Sequence, residues 1–470
     1  MVYNAARKAG WIQQAMGKIR KPLMVNRASA QTLATIAALF VALCLLVLPG
    51  ATGDARGLET EKFVPGQIVV KLAPKATIAQ VNSRYGTQVQ ERFLDRKNTN
   101  NFLLRIADGS SAPDKVAQLT GSPLVSYVEL NYLSGVPEAG DETGASARHR
   151  AFPAGNATPT AQNYSRNSSY PDSALNLTKA HRISQGANTT VAVLDTGAQL
   201  DHPALKAPFK GVPRYDFVDN DSDPSEPALA TSEEQLAQEV VGHGTHVAGI
   251  VNLVAPKAKL MPLRVLDREG YGSVFHVAEA VVFADIKAAD VINLSLGTPG
   301  WSMLMREKVE EAIADGVVVV AAAGNYDSVQ PQYPASNGPL LWVAQNNDGL
   351  LAVTSVSSLE KKSDFANYGT WVDIVAPGEE ILSTYPVSRY AYWSGTSMAS
   401  PFVAGEAALI RSANGSRDPA RVEQRIRLGA RCVDEKNDPL YWHNLGAGHA
   451  DVDASLRQVQ GYRCIPLVGQ

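Results

Sequence analysis

Val191-Ala192-Val193-Leu194-Asp195-Thr196-Gly197 predicts a short buried strand that ends in a turn. Its four consecutive apolar residues are typical of a strand in a parallel sheet, where helices cover both faces. The carboxylate of Asp195 then lies at the carboxyl edge of that sheet, which is where open α/β folds build their sites. By itself a strand-end Asp is more often a turn residue, so a functional role needs support from the rest of the chain.

The residues after position 170 repeat this pattern of short apolar strands separated by helical segments. Strands are predicted over 191–194, 260–266, 291–296 and 317–322, and helices over 244–253, 275–288, 304–314, 402–410 and 420–428. Alternation of this kind predicts a parallel sheet with helices on both faces. The expected fold class is therefore α/β, a doubly wound parallel sheet, in a domain that spans residues 170–460.

A smaller module precedes this domain over residues 61–134. Its segments follow in the order strand, helix, strand, strand, helix, strand, with a central hairpin around 89–106. This order is that of a split βαβ unit, so a small ferredoxin-like α+β module is expected. Residues 135–169 are rich in Gly, Ala, Ser, Asn and Pro without any apolar period, which predicts an exposed linker that is easily cut.

The composition of the 470-residue chain excludes several classes of protein. With 43 basic and 46 acidic residues, its formal net charge of -3 offers no electrostatic surface for nucleic acid, so no nucleic-acid partner is expected. Hydrophobic residues make up 45% of the chain, which permits a large core and excludes disorder as its overall state. Three cysteines are too few for a disulfide scaffold, although Cys432 and Cys464 can form one bridge or pack as two small buried side chains.

Residues 1–53 have the layout of a secretory signal. They contain six basic side chains and no acidic one, an apolar run over residues 33–48, and small residues just after that run. The run is shorter than the roughly 20 residues that span a bilayer, which favours a cleaved signal peptide over a retained signal anchor. In the first case the protein is secreted or periplasmic. In the second it is held at a membrane, with its main domain outside the cytosol.

A second motif, Gly242-His243-Gly244-Thr245-His246, lies at a predicted helix start. Zinc peptidases need two histidines four residues apart with a Glu between them, and this motif has neither the spacing nor the Glu. His246 is expected to belong to the core, whereas His243, between two glycines at the helix entrance, can face a cleft as a general base. Aspartic proteases also use Asp-Thr-Gly, but they need a paired carboxylate in a mostly β chain, and this sequence offers no second copy.

The third motif, Ser394-Gly395-Thr396-Ser397-Met398-Ala399-Ser400-Pro401, precedes a long apolar segment. A serine in the first turn of a buried helix lies beside unpaired backbone N–H groups and the positive end of the helix dipole. That environment suits a nucleophile whose attack creates an oxyanion. Taken alone, Ser397 is more often a helix cap, so its assignment depends on the other two motifs.

Asp195, His243 and Ser397 occur in this order, each in a glycine-rich context. Together the three motifs resemble the signature blocks of the subtilisin-like serine proteases, the subtilases, whose triad has the same chain order. The resemblance extends over about residues 170–455 and implies a subtilisin-like fold. It also implies that Ser397 is the nucleophile, His243 the general base and Asp195 the group that orients the imidazole.

The same resemblance implies roles for three further segments. Asn325 ends a block like the one that supplies the side-chain donor of the family's oxyanion hole. Ser295-Leu296-Gly297 is similar to the strand that lines the primary specificity pocket and pairs with the substrate backbone. The module at 61–134 resembles the family's inhibitory propeptide, so the protein's own propeptide is an expected partner.

Two departures from the family argue against its usual structural calcium site. Ala204 stands where the family often has a calcium-ligating Asp, and the helix after His243 runs directly into Val254-Ala255-Pro256 without the loop that supplies other ligands. Because calcium prefers six to eight oxygen ligands, we expect this site to be absent and no cofactor to be required. An acidic loop offers another place for a cation, although a solvated turn is its commoner role. The loop contains Asp216, Asp219, Asp221 and Asp223.

The sequence therefore predicts an exported serine endopeptidase that is made as a zymogen and acts on proteins or peptides. A non-catalytic relative that binds peptides in the same cleft is disfavoured, because all four catalytic positions carry the required residue types. A processing enzyme held at a membrane is a third hypothesis. The residue preference at the cleavage position stays open, because the segment between Asn325 and Pro334 is short.

Overall fold

The computed structural model describes residues 61–93, 100–138, 160–165, 170–229, 240–336 and 349–461. The predicted signal segment at 1–53 and most of the predicted linker at 135–169 lie outside these residues. Among the described helices, none combines the length and the apolarity needed to cross a membrane.

The N-terminal module is an antiparallel sheet with two helices packed on one face. Its elements are β1 (Phe63–Leu72), α1 (Ile78–Tyr85), β2 (Thr87–Arg92), β3 (Asn101–Ile106), α2 (Ala112–Leu119) and β4 (Val125–Gly135). The strands lie in the order β2-β3-β1-β4, and every neighbouring pair is antiparallel. Both helices pack on the face that presents Ile68, Val70 and Leu104. This is the predicted ferredoxin-like arrangement.

The residues after 170 form a seven-stranded parallel sheet. The strands of this part are β5 (Thr190–Asp195), β6 (Tyr215–Asp216), β7 (Lys259–Arg264), β8 (Tyr271–Ser273), β9 (Val291–Leu294), β10 (Val318–Ala322), β11 (Leu350–Val356), β12 (Ile374–Pro377), β13 (Ile381–Tyr385) and β14 (Arg389–Trp393). The order across the parallel sheet is β12-β11-β10-β9-β5-β7-β6. β13 and β14 form a separate antiparallel hairpin.

Helices cover both faces of this sheet. The helices from the linker onward are α3 (Ala161–Ser165), α4 (Tyr170–Leu175), α5 (Leu177–Ala180), α6 (His243–Val254), α7 (Val274–Ile286), α8 (Met303–Ala314), α9 (Thr396–Asn414), α10 (Pro419–Gly429) and α11 (Val452–Arg457). Val191 and Val193 of β5 pack with α6 and α9 on one face, and Ala192 and Leu194 pack with α7 and α8 on the other. Successive strand residues point to opposite faces, so the apolar run of β5 is buried on both sides. The predicted doubly wound α/β fold is confirmed.

The module docks on the main domain through a shared sheet and a buried carboxylate. β8 pairs antiparallel with the end of β4 and extends the sheet of the module. Glu129, on β4, accepts hydrogen bonds from Ser302 Oγ and from Met303 N, both at 2.7 Å, where α8 begins. Burial raises the pKa of Glu129 to about 7, although these bonds oppose the shift. The donors at the start of α8 therefore offset part of the cost of burying this carboxyl group, and they fix the position of the docked module.

Six strands have no counterpart among the predicted elements, namely β6, β8, β11, β12, β13 and β14. β11 contains two polar residues, Thr354 and Ser355, which are fully buried and interrupt its apolar run. β4 includes Gly135, the first residue of the predicted linker, and the described chain continues to Glu138.

Cys432 is disulfide-bonded, and both other cysteines lie outside the described residues, so the pairing with Cys464 stays a prediction.

Helix α9 carries a fully buried acid, Glu406. Burial, with the nearby charge of Asp451, raises the pKa of Glu406 from 4.5 to about 8. Folding therefore favours the neutral acid. The contribution of Glu406 to the free energy of unfolding is therefore fully present below pH 4.5 and is lost as the pH rises through about 8. We expect Glu406→Gln, which cannot ionise, to be more stable than the parent chain above pH 8 and similar to it below pH 4.5.

Thermal unfolding of both chains across this pH range checks the prediction for Glu406. The free energy of unfolding should fall in the parent relative to the variant by up to about 1.4 kcal/mol for each pH unit between the two pKa values. Parallel pH profiles for the two chains would contradict it, because they would mean that Glu406 titrates alike in the folded and unfolded states.

Candidate active site

Asp195 and His243 are in direct contact. Asp195 is the last residue of β5 and His243 the first of α6, so the sheet edge and the helix start present them to each other. His243 Nδ1 donates a hydrogen bond to Asp195 Oδ1 at 2.7 Å, and Thr196 N donates to the same oxygen at 2.8 Å. Both side chains of the pair are fully buried. The bond at Nδ1 fixes the ring and leaves Nε2 for another partner.

Ser397 lies in the first turn of α9, where it is fully buried. Pro401, four residues later, has no N–H for the Ser397 carbonyl, which instead accepts a hydrogen bond from Ser295 Oγ at 2.9 Å. This replacement donor lets the helix run through Pro401, so α9 begins six residues before the apolar segment that is predicted as helix over 402–410. In this first turn Met398 N donates to Gly395 O at 3.1 Å and Thr396 N donates to the Asn325 side chain, which leaves the N–H of Ser397 itself as the backbone donor that can face an anion.

Asn325 is oriented by the start of α9. It follows β10 after a turn at Gly324, whose φ of 101° lies in a region that favours glycine. Asn325 Oδ1 accepts hydrogen bonds from Thr396 N at 3.0 Å and from Thr396 Oγ1 at 2.9 Å. Because both donors bind the oxygen, the amide nitrogen is free to donate in the opposite direction.

A carboxylate that the sequence analysis missed lies between these residues. Glu138, three residues beyond the end of β4, has a side chain that is only 1% exposed. Ser397 Oγ donates to its Oε2 at 2.8 Å, Asn325 Nδ2 donates to its Oε1 at 2.9 Å, and His243 Nε2 lies 3.3 Å from Oε2. The structure therefore brings all four predicted catalytic residues together, with three of them around one bound carboxylate.

Two carboxylates determine the charge of His243. Burial lowers the pKa of the imidazole, but the charges and hydrogen bonds of Asp195 and Glu138 outweigh burial and raise the pKa of His243 to about 10. The ring is therefore protonated at neutral pH while Glu138 is bound. His243 Nε2 lies 3.3 Å from Glu138 Oε2, and the Ser397 hydroxyl bonds to this carboxylate instead of to the imidazole.

The segment that leads to Glu138 is held as an extended strand between two parts of the main domain. Gly135 N donates to Gly297 O at 2.8 Å, and Gly297 N donates to Gly135 O at 2.9 Å. On the other side, Val136 N donates to Gly270 O at 3.0 Å, next to β8. The cleft thus binds a peptide by its backbone on both edges, as in the addition of a strand to a sheet.

The three residues Ser295-Leu296-Gly297 make different contacts in this cleft. Gly297 pairs with the bound backbone, whereas the Leu296 side chain is fully buried in the core. The Ser295 hydroxyl bonds to the carbonyl of Ser397, and the Ser295 carbonyl lies 3.4 Å from Ser397 Oγ. Backbone atoms of this strand therefore face the bound peptide and the reactive hydroxyl.

Glu226, which is half-buried, supplies a second carboxylate that the sequence did not predict. Its Oε1 accepts hydrogen bonds from Thr196 Oγ1 and from Thr245 N, both at 3.1 Å, and its Oε2 accepts one from Gly242 N at 3.0 Å. Helix α6 begins after a glycine and has no side-chain cap from its own N-cap residue, so Glu226 supplies the acceptor. One carboxylate thus ties the end of β5 to the helix that carries His243.

His246 belongs to the core, as the sequence predicts. Its Nε2 lies 3.1 Å from the carbonyls of Ile381 and Ala391, and its ring stacks on Trp393 with centroids 5.3 Å apart. Burial lowers the pKa of His246 to about 3, so the ring is neutral. The two histidines of this motif therefore have different environments, and only His243 reaches the cleft.

The predicted acidic loop is organised around an arginine. Arg264 Nη1 donates to Asp216 Oδ2 at 2.7 Å and to Asp219 Oδ2 at 2.5 Å. Asp221 Oδ1 accepts a hydrogen bond from Asp223 N at 2.8 Å, as in a local turn. Two of the four carboxylates thus already face a cation that belongs to the protein.

Sequence comparisons point to one family. The profile of the subtilase family matches residues 186–453, more than half of the chain, and that of the fervidolysin N-terminal prodomain matches residues 49–131. The thermophilic serine proteinase of Bacillus sp. (strain AK1) is 36% identical over 385 residues, which cover 79% of this chain and 84% of that protein. Thermitase of Thermoactinomyces vulgaris is 40% identical over 264 residues, which cover 54% of this chain and 85% of thermitase.

Solved structures share the fold. Fervidolysin from Fervidobacterium pennivorans, a keratinolytic enzyme related to subtilisin, matches 88% of this chain with a TM-score of 0.65 and 22% identity. This chain spans 63% of that fervidolysin chain, and the likeness shows the fold alone. A protease from Pseudoalteromonas arctica PAMC 21717 matches 65% of this chain over 100% of its own length, with a TM-score of 0.54 and 29% identity. The family profile, the relatives and the fold show that this chain belongs to the subtilase family of serine proteases and carries an N-terminal prodomain.

Proposed function

We propose that the protein is an exported serine endopeptidase, made as a zymogen, in which Asp195, His243 and Ser397 hydrolyse peptide bonds. Asn325 supplies the side-chain donor of the oxyanion hole. The observation that carries the proposal is the convergence of a hydroxyl, an imidazole and an amide donor on one carboxylate, all within 3.3 Å. A site that holds a carboxylate in this way is suited to the oxyanion that forms during attack on a peptide bond.

Each residue then has a defined task in the reaction. His243 Nε2 takes the proton of the Ser397 hydroxyl as Oγ attacks the carbonyl carbon of the substrate. The resulting oxyanion accepts hydrogen bonds from Asn325 Nδ2 and from the backbone N–H of Ser397. As the C–N bond breaks, His243 gives the proton to the departing amine. Water then attacks the acyl-enzyme with the same proton transfers, which releases the acid and restores Ser397.

Asp195 keeps the imidazole in the tautomer that these steps need. Its bond to Nδ1 leaves Nε2 unprotonated in the neutral ring, so Nε2 can accept the Ser397 proton. The same carboxylate stabilises the positive ring that follows. Departure of Glu138 removes one of the two charges that raise the pKa of His243, so the ring becomes a base at lower pH once the cleft is open.

The proposed substrate is an extended stretch of polypeptide. Gly297 and Gly270 hold the bound strand through backbone atoms, which every peptide can pair with regardless of its sequence. Such binding fits an endopeptidase that acts on proteins. We keep Ser295-Leu296-Gly297 as the proposed wall of the primary specificity pocket, with the residue preference at the cleavage position open.

The module at 61–134 is proposed to inhibit the protease until the linker at 135–169 is cut and the catalytic domain at 170–460 is released. Support comes from the path of its last strand, which continues through the cleft to the reactive hydroxyl. Export rests on the residue pattern of 1–53. N-terminal sequencing of the exported protein distinguishes a cleaved signal peptide from a retained anchor.

We propose that the protease works without a cofactor and without the family's calcium site near Ala204. Hydrogen bonds between protein groups fill this region: the Tyr164 hydroxyl donates to Gly249 O at 2.7 Å, and Asn252 Nδ2 donates to that hydroxyl at 3.2 Å. The tyrosine, which belongs to the predicted linker, is thereby fixed on helix α6. In the acidic loop, the guanidinium of Arg264 already supplies a positive charge.

Substitution of Asn325 tests the proposed oxyanion hole. We expect Asn325→Ala to lower kcat by about 10²–10³-fold with little change in KM, because the lost donor acts mainly on the transition state. Asn325→Asp keeps the oxygen that binds Thr396 but replaces the donor by an acceptor, so its loss should be at least as large. Steady-state kinetics of the processed enzyme measure both effects.

A matched control is Asn414→Ala, at the exposed end of the same helix, which should have the kinetics of the unsubstituted enzyme. Unchanged kcat in both Asn325 variants would contradict the assignment. A rise of KM alone would also contradict it, since that result would place Asn325 in ground-state binding only.

A further inference from the structure

We propose that Glu138 is the group that keeps the unprocessed protease inactive. The proposal rests on the catalytic roles given above. The side-chain carboxylate of Glu138 fills the place of the substrate oxyanion and takes the Ser397 hydroxyl away from His243. The same centre then binds, in trans, extended peptides that present a carboxylate at this position.

The contacts of Glu138 are those of a bound ligand. Its Oε1 accepts a hydrogen bond from Asn325 Nδ2 at 2.9 Å, and its Oε2 accepts one from Ser397 Oγ at 2.8 Å. His243 Nε2 lies 3.3 Å from Oε2. A carboxylate is costly to bury unless charged and hydrogen-bonding partners replace water, and here an imidazolium, a hydroxyl and an amide do so.

The backbone leaves room for this carboxylate. A Cβ at Gly395 would lie 1.8 Å from Glu138 Oε1, so any larger residue at position 395 would occupy the space of that oxygen. Gly395 directly precedes α9, whose first-turn N–H groups form the positive end of the helix dipole. The carboxylate therefore lies against a surface that favours an anion.

The preceding residues fix where Glu138 is delivered. Gly135 pairs with Gly297 on one side, and Val136 bonds to Gly270 on the other, with N···O distances of 2.8 to 3.0 Å. Pro137 then restricts the backbone directly before Glu138, because its ring fixes φ. A strand that is already ordered by the module loses little further freedom when it binds, which strengthens inhibition by a single side chain.

Bound in this way, Glu138 blocks the first chemical step. The Ser397 hydroxyl donates its hydrogen bond to the Glu138 carboxylate and not to His243 Nε2, the atom that would take its proton. The imidazole lies between two carboxylates, Asp195 at Nδ1 and Glu138 at Nε2, which keep it charged. Glu138 must leave before His243 can act as a base and before a substrate carbonyl can reach Asn325.

The first test uses the full-length chain with Glu138→Gln and Glu138→Ala. Two rates are measured: labelling of the uncut chain by a serine-directed peptide phosphonate, and loss of the N-terminal module. Both should rise by about 10- to 100-fold, because a charge-assisted contact with the active centre is removed. Glu142→Gln, which removes the same charge from the predicted linker, should match the unsubstituted chain. Equal rates in the unsubstituted chain and both Glu138 variants would overturn the proposal.

A second test needs no variant of the protease. The peptide of residues 133–138, blocked at both ends so that the Glu side chain is its one carboxylate, is compared with its Gln counterpart as an inhibitor of the processed enzyme. We expect the Glu peptide to bind about 10-fold more tightly or better. Equal inhibition by the two peptides would overturn the proposal.

Labelling of the processed enzyme distinguishes a wrong assignment of Ser397 from a wrong role for Glu138. If Ser397 were not the nucleophile, the processed enzyme would not be labelled by the phosphonate at that residue. If only the role of Glu138 were wrong, the processed enzyme would be labelled at Ser397 while the Glu138 variants matured at the rate of the unsubstituted chain.

Discussion

Replacing Ser397 by alanine is expected to lower kcat for a peptide substrate by about 10⁶-fold and to leave the N-terminal module attached. The substitution removes the only protein atom that forms a bond to the substrate carbonyl carbon in the proposed reaction. The oxyanion donors and the peptide-binding strands remain, so the residual rate reflects binding and polarisation alone. Kinetics of the purified chain and gel analysis of its processing measure the two effects.

Ser412→Ala is a matched control for Ser397→Ala, because Ser412 lies on the same helix and bonds to the Ala187 carbonyl, away from the cleft. It should be processed and active. Normal processing of purified Ser397→Ala would show that another group cuts the linker and would remove the assignment of Ser397.

Replacing Asp195 by asparagine is expected to lower kcat by about 10⁴-fold with the fold intact. The amide can donate to His243 Nδ1, which stabilises the tautomer with a proton on Nε2. That tautomer cannot take the proton of Ser397. The positive ring also loses the charge that stabilises it, since Asp195 is the carboxylate at 2.7 Å. Kinetics of the processed enzyme, with circular dichroism to check the fold, measure the effect.

Asp201→Asn is the control for this change, because Asp201 is exposed and its carboxylate contacts Gln199. It should retain full activity. An Asp195→Asn enzyme with more than about a tenth of the original kcat would contradict the proposed role of Asp195, since the tautomer would then have no bearing on proton transfer.

Patterns among neighbouring residues in the sequence predict the three motifs that contain Asp195, His243 and Ser397. An apolar strand places Asp195 at a sheet edge, and glycine-rich helix starts place His243 and Ser397 at helix N-termini. These local features depend on the neighbouring residues alone, so one sequence suffices to predict them. A parallel sheet brings such ends to the same edge, which is why the predicted residues meet.

The carboxylates of Glu138 and Glu226 are not predictable in the same way. Glu138 is 259 residues from Ser397 along the chain, and it follows β4 in a stretch whose composition predicts a linker. The one local signal was the apolar pair Val136-Pro137, which prolongs the strand. Glu226 lies in a loop without apolar period, and its partners Thr196 and Thr245 are 30 and 19 residues away. Such contacts follow from the assembled fold.

Glu129, on β4, and Glu138, three residues beyond the end of β4, make different contacts with the main domain. Glu129 accepts hydrogen bonds from the Ser302 hydroxyl and the Met303 backbone at the start of α8. This contact holds the module without touching the catalytic residues. Glu138 binds the reactive residues themselves. Loss of the first contact should loosen the module directly, whereas loss of the second should free the active centre, and the module is then lost because the linker is cut sooner.

The central claim is that Ser397 acts as the nucleophile in a centre formed with His243 and Asp195. Mass spectrometry of the processed enzyme after reaction with a serine-directed phosphonate tests it most directly. We expect one phosphonyl adduct, on the tryptic or chymotryptic peptide that contains Ser397, and none after His243→Ala. An adduct at another residue, or equal labelling of a Ser397→Ala chain, would contradict it.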